Sequence, residues 1–134
     1  MEVSADLSVL LVTQEWENSI EALPEALRAR GFEPLSIFAL QVAEECTESS
    51  PLAQEYRFRF GQWPQGIPVW RLIVNGKTTQ PLATVASLVA DCLPPAASWV
   101  GSAEIGFTEM GLGAPAVWRA ESCCVFYTLL RAHA

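Results

Sequence analysis

The residues of this chain best suited to chemistry are four cysteines, one histidine, a few paired carboxylates and two glycine-bearing loops. The cysteines are Cys46, Cys92, Cys123 and Cys124. They form no Cys-x-x-Cys, and none pairs with a histidine at the spacing of a zinc site. Cys123 and Cys124 are neighbours in an extended run, so they point to opposite faces and cannot share one small metal centre. They read as small buried hydrophobes in a reducing compartment. His133 lies next to the last residue of the sequence. A Ser-His-Asp or Cys-His mechanism needs an imidazole fixed by a third group, which a fraying terminus does not supply.

The two glycine-bearing loops lack the context that phosphate chemistry requires. Asn75-Gly-Lys-Thr-Thr79 falls between a strand and a helix, but a phosphate loop needs a second glycine where this chain has Arg71. Without it no nest of backbone N–H groups surrounds a phosphate. Gly111-Leu-Gly-Ala-Pro-Ala116 fits a loose G-x-G-x-x-A. A strand follows it rather than the helix N-terminus that holds a pyrophosphate. The carboxylate pairs Glu15/Glu17 and Glu44/Glu45 stand apart from any metal partner. The first decorates a helix start, where the dipole favours negative charge. These residues predict no catalytic, cofactor-binding or metal-binding site, no cofactor and no enzyme activity.

The bulk composition agrees with a structural or binding role. The 134 residues make one domain, 1–134, large enough for a real core. Hydrophobic residues make up 51% and charged residues only 17%, an ordered composition. With 15 acidic and 8 basic residues the formal charge is −7, so the basic footprint of a nucleic-acid binder is absent. The acidity reads as ordinary solubility. Asp91 and Pro94-Pro95 interrupt the most apolar stretch, and no positive charge precedes Arg28. A soluble chain made in a cytoplasm, with no membrane segment, is expected. Five tryptophans are many for this length, and tryptophan is enriched both in cores and at interfaces.

The elements that would position these residues follow from periodicity. Residues 1–12 are apolar and read as an N-terminal arm or an extra strand, with 7–12 a short strand or a helix opening. Thr13 fits an N-cap for a helix over 14–30, striped by Trp16, Ile20, Leu23 and Leu27 and stopped by Gly31. Pro24 must kink this helix or start another. Strands are expected over 32–45, over 56–60 where Tyr56, Phe58 and Phe60 alternate with Arg57 and Arg59, and over 67–74, ended by Asn75-Gly76. Residues 46–54 read as a polar loop. Pro81 then opens a helix striped by Leu82, Val85, Ala86, Val89, Cys92 and Leu93 and ended by Pro94-Pro95. Strands over 98–110 and 116–130 complete an α+β fold. It is a mostly antiparallel sheet of about five strands with two helices packed on one face.

The last strand, Trp118-Arg-Ala-Glu-Ser-Cys-Cys-Val-Phe-Tyr-Thr-Leu-Leu130, is longer than one core needs. The opening helix, the strand Val69-Trp-Arg-Leu-Ile-Val74, the helix over 81–93 and this final strand, taken in that order, resemble the tail-terminator and minor-tail proteins of long-tailed bacteriophages. The resemblance spans residues 14–130 as a pattern. It implies a small subunit of a homo-oligomeric ring, commonly a hexamer, that caps the tail tube, stops its growth and joins tail to neck. Tube, sheath and neck proteins would be its partners, and the virion, assembled in the host cytoplasm, its location. Trp63, Trp99, Trp118 and Tyr127 are the expected interface residues. An acidic lumen that repels DNA phosphates would let a genome pass without sequence-specific binding. The main alternative is a small acidic partner-binding module of immunity type, whose charge would mask a basic partner. A small enzyme or ligand-binding domain, marked by a deep pocket with converging polar groups, is a third reading.

Overall fold

The computed structural model describes residues 1–108 and 116–120. The elements are β1 (Glu2–Leu10), α1 (Thr13–Ala29), β2 (Phe32–Ala43), α2 (Pro51–Phe60), β3 (Val69–Thr78), α3 (Leu82–Ala90), β4 (Ser98–Ile105) and β5 (Trp118–Arg119). All five strands join one sheet in the order β4-β1-β3-β2-β5, and every pairing is antiparallel. β1 and β2 are linked by α1 and separated by β3, while β3 and β4 are linked by α3 and separated by β1. These are two interleaved split β-α-β units, the β-α-β-β-α-β pattern of ferredoxin-like sheets. In this chain α2 fills the connection between β2 and β3, and β5 adds to the free edge of β2. The α+β class and the five-stranded antiparallel sheet are as expected.

The register explains where the core sits. On β1, Val3, Ala5, Leu7 and Val9 alternate onto one face and are fully buried. Leu7 stands opposite Leu72 on β3 and Gly101 on β4. Trp16, Leu23 and Leu27 of α1 and Val85 and Val89 of α3 complete this core. The rings of Trp16 and Trp70 stack at 4.9 Å, and Trp70 Nε1 donates to Leu11 O at 2.7 Å. α1 lies over β2, and α3 over β1 and β4. Gly31 ends the α1 connection at φ 82°, its N–H bonded to Arg28 O at 3.1 Å. Pro24 sits buried inside one continuous helix and starts no second one. Packing of the flanking Leu23 and Leu27 holds the helix through the missing N–H. Val12, not Thr13, is the capping residue.

Several expectations are corrected. Of the two readings of residues 1–12, arm or extra strand, the strand holds over 2–10. These residues form β1 between β3 and β4, and the Met1 amino group donates to Thr78 O at 2.9 Å. Asn75-Gly76 does not end a strand, because β3 runs on to Thr78 with Asn75 opposite Ser4 and Gly76 opposite Pro34. Gly76 is needed there for lack of a side chain: a Cβ would meet Glu33 O and the Phe32 ring. Residues 56–60 are not a strand but the second half of α2, a third helix. β4 stops at Ile105, where Gly106 takes φ 94° and donates to Glu2 O at 2.9 Å, so it does not reach Met110. Of the expected strand over 116–130, Trp118 and Arg119 pair with Ile37 and Ser36 at the edge of β2. Its remainder, with Cys123, Cys124 and Tyr127, lies outside the described residues, as does His133.

Candidate functional site

The strongest candidate surface is built on α2. Its ends are fixed by sequence. Ser50 Oγ accepts from Ala53 N at 3.0 Å, Pro51 occupies the first turn, and Gly61 closes the helix at φ 75° with its N–H on Arg57 O at 2.8 Å. Leu52 and Ala53 are buried. Leu52 packs with Leu10 and Val69 on the sheet face opposite α1 and α3, joined by half-buried Tyr56 and Val100. Tyr56 and Phe60 stand one turn apart, ring centroids 4.6 Å from each other. A rotation of about 100° per residue then turns Gln54, Arg57 and Phe58 outward.

The outward flank is unusual for a protein surface. Phe58 is 91% exposed, the most exposed large hydrophobic side chain among the described residues. Beside it the Arg57 guanidinium lies 4.7 Å from the ring centroid of Trp63, which arrives from the loop after α2. Gln54, Arg57, Phe58 and Trp63 line one shallow hollow. A cation–π contact of this exposed kind contributes about 0.5–1 kcal/mol and holds the guanidinium in place. Covering the Phe58 ring would gain about 1.5–3 kcal/mol. The arrangement offers an apolar anchor next to a fixed cation, which suits a protein surface carrying carboxylates.

The other flank of α2 is committed within the chain. Arg59 pairs with Glu55 at 3.9 Å, donates to Ala97 O at 2.6 Å and also reaches Pro95 O. It thereby ties α2 to the connection between α3 and β4. A polar hollow lies here, lined by Glu55, Arg59, Asp91, Pro95 and Trp99, and Glu55 Oε2 is buried without a hydrogen-bond partner. Elsewhere on this sheet face Ser4 Oγ and Ser98 Oγ are also buried without a partner among the described residues, while two polar clusters are paired. Arg71 binds Asp6 through two hydrogen bonds of 2.7 and 3.2 Å, and the bond to Asp6 holds the guanidinium pKa above its ordinary value. Asn75 donates to Ser36 Oγ at 3.1 Å and to Thr108 O at 2.7 Å, and accepts from Thr108 N at 2.9 Å. Burial pushes the Cys92 thiol up, with Arg30 pulling the other way, so Cys92 is a poor nucleophile at neutral pH.

The expected interface residues do not gather. Trp63 belongs to the α2 surface. Trp99 is on β4 and Trp118 on β5, at opposite edges of the sheet, roughly 19 Å apart by strand spacing. Both lean on the main core, and Trp118 lies under Arg28 at 5.7 Å. Tyr127 is outside the described residues. Phe58 and Arg57 were not singled out from sequence, because alternation over 56–60 placed all three aromatics on one buried strand face. The signal that finds them is the punctuation: Ser50-Pro51 before the run and Gly61 after it are helix start and stop residues. Among the described residues no cluster of three or more His, Cys, Asp or Glu side chains could hold a metal ion, and no helix is long and apolar enough to cross a membrane. Comparison with protein-family models, with curated proteins and with solved structures finds no match to this chain.

Proposed function

We propose that this chain is a non-catalytic assembly subunit that works by docking to other proteins through α2, and that it associates with copies of itself. The observation that carries this reading is the exposure of Phe58 beside the Arg57–Trp63 stack. An exposed ring beside a fixed cation costs solubility and adds little to the stability of an isolated monomer. In its narrow form the reading is a ring at the end of a bacteriophage tail tube, stopping tube growth and joining tail to neck. The succession α1, β3, α3 and β5, on which the resemblance to tail-terminator proteins rests, supports that form, with tube, sheath and neck proteins as its partners and the virion as its location. The net charge of −7 suits a lumen through which DNA passes unbound. The test is particle mass in solution together with electron micrographs of the purified protein. Closed rings are the expected result, and a chain that stays monomeric at every concentration overturns the reading.

A further inference from the structure

The outward flank of α2 has a charge complement on the same chain. Along α1, Glu17, Glu21 and Glu25 are all exposed. They stand four residues apart, so their carboxylates line one side of the helix and repel one another. Among the described residues no ion pair relieves them. Ala22 is exposed beside this row and leaves low ground next to it. Arg57, in turn, makes no ion pair among the described residues and is held over Trp63. α1 lies on one face of the sheet and α2 on the other, so a single copy cannot bring the two surfaces together. Two copies can.

We propose that the α2 surface of one copy docks on the acidic side of α1 of the next. Phe58 covers the ground around Ala22, and Arg57 meets the carboxylates of Glu21 and Glu25. The contact uses different surfaces on its two sides. Repeated from copy to copy, such a contact closes into a ring or extends as a filament. The inference rests on the reading of the chain as a self-associating subunit and adds which surfaces meet.

The experiment is sedimentation velocity of the full chain over a range of concentrations and salt. The wild type is expected to assemble, and to do so less tightly as salt rises. Arg57→Glu, Phe58→Asp and Glu21→Arg should each weaken assembly at least tenfold in dissociation constant, with an unchanged far-ultraviolet spectrum. The double variant Arg57→Glu/Glu21→Arg should recover most of the loss. So should an equal mixture of the two single variants, in which every surface again finds an opposite charge. Recovery on mixing also shows that each variant is folded. Wild-type assembly that none of these changes weakens overturns the docking surface and leaves self-association standing. A wild type that is monomeric throughout overturns both, and its co-sedimentation with phosphatidylserine vesicles would assign the α2 surface to a lipid instead.

Discussion

Replacing Phe58 by alanine should leave the fold of a single copy almost untouched, while the same change at Leu52, six residues away on the same helix, should not. A phenylalanine side chain offers roughly 200 Å². With Phe58 91% exposed, about 20 Å² is removed from water, and at about 25 cal/mol per Å² the loss is about 0.5 kcal/mol. Leu52 is 4% exposed and packs on Leu10 and Val69. Its truncation removes three carbons from a small satellite cluster and should cost about 2–3 kcal/mol. Tyr56, half-buried in that cluster, should fall between them. The assay is urea denaturation followed by tryptophan fluorescence. It is run in the Arg57→Glu background at low concentration, so that association adds nothing to the measured stability. The strand expected over 56–60 makes the opposite forecast, because it sets Tyr56, Phe58 and Phe60 on one face. Equal losses for Phe58→Ala and Leu52→Ala would refute the helical placement and the surface built on it.

Three further outcomes follow from local geometry. Gly76→Ala should lower the unfolding free energy measured in urea by more than the ~1 kcal/mol that a glycine replacement costs on conformational grounds alone. The new Cβ meets the Glu33 carbonyl and the Phe32 ring, and such overpacking costs about 1–3 kcal/mol or more. Ser50→Ala removes the cap on Ala53 N and should cost about 1 kcal/mol, with faster amide hydrogen exchange in the first turn of α2 and no change in β1 or β3. The third concerns pH: burial raises the folded-state pKa of Cys92. The corresponding stability is fully present below the unfolded thiol pKa of about 8.5 and is lost as pH rises through the folded value. Urea titrations from neutral to alkaline pH should show this decline, and Cys92→Ala should flatten it.

What could be read in the sequence was whatever depends on a single periodic face. The stripe Trp16, Ile20, Leu23, Leu27 located α1, and the stripe from Leu82 to Leu93 located α3, although that helix ends at Ala90, because both helices bury one side on one sheet. β1 was ambiguous for a physical reason. As a central strand with a fully apolar face under the helices and Ser4, Asp6, Ser8 and Leu10 on the other, it reads as a short apolar run in which Asp6 and Ser8 look like interruptions. Asp6 is in fact the partner of Arg71, 65 residues away in sequence, and only the β1–β3 register brings the two together. Asn75-Gly76 carried a turn signal but takes its glycine from the close approach of β2. The run from Tyr56 to Phe60 failed most instructively. Aromatic alternation mimicked a strand, whereas the residues outside the run, Ser50, Pro51 and Gly61, held the helical information. The interface expectation followed tryptophan and so included Trp63, but not Phe58 and Arg57, which line the same hollow.

The two arginines of α2 separate stability from association. Arg57 and Arg59 are neighbours but one, and helical geometry turns them to different flanks. Arg59 spends its donors on Ala97 O and Pro95 O. Ala97 is buried at 5% exposure, so removing Arg59 strips its carbonyl of that donor in a place water reaches poorly. A charge-assisted bond of this kind contributes about 1–3 kcal/mol, and Arg59→Ala should lower monomer stability by that order while changing assembly little. Among the described residues the Arg57 guanidinium makes no ion pair and lies over the Trp63 ring. Arg57→Ala should therefore cost stability less than about 1 kcal/mol, yet weaken association in the sedimentation experiment. Lysine at 57 keeps the charge but stacks poorly and loses the planar fork, so it should restore association only in part. If Arg59→Ala disrupts assembly as strongly as Arg57→Ala with the fold intact, the polar hollow beside Pro95 belongs to the interface too. The division of labour between the two flanks would then be wrong.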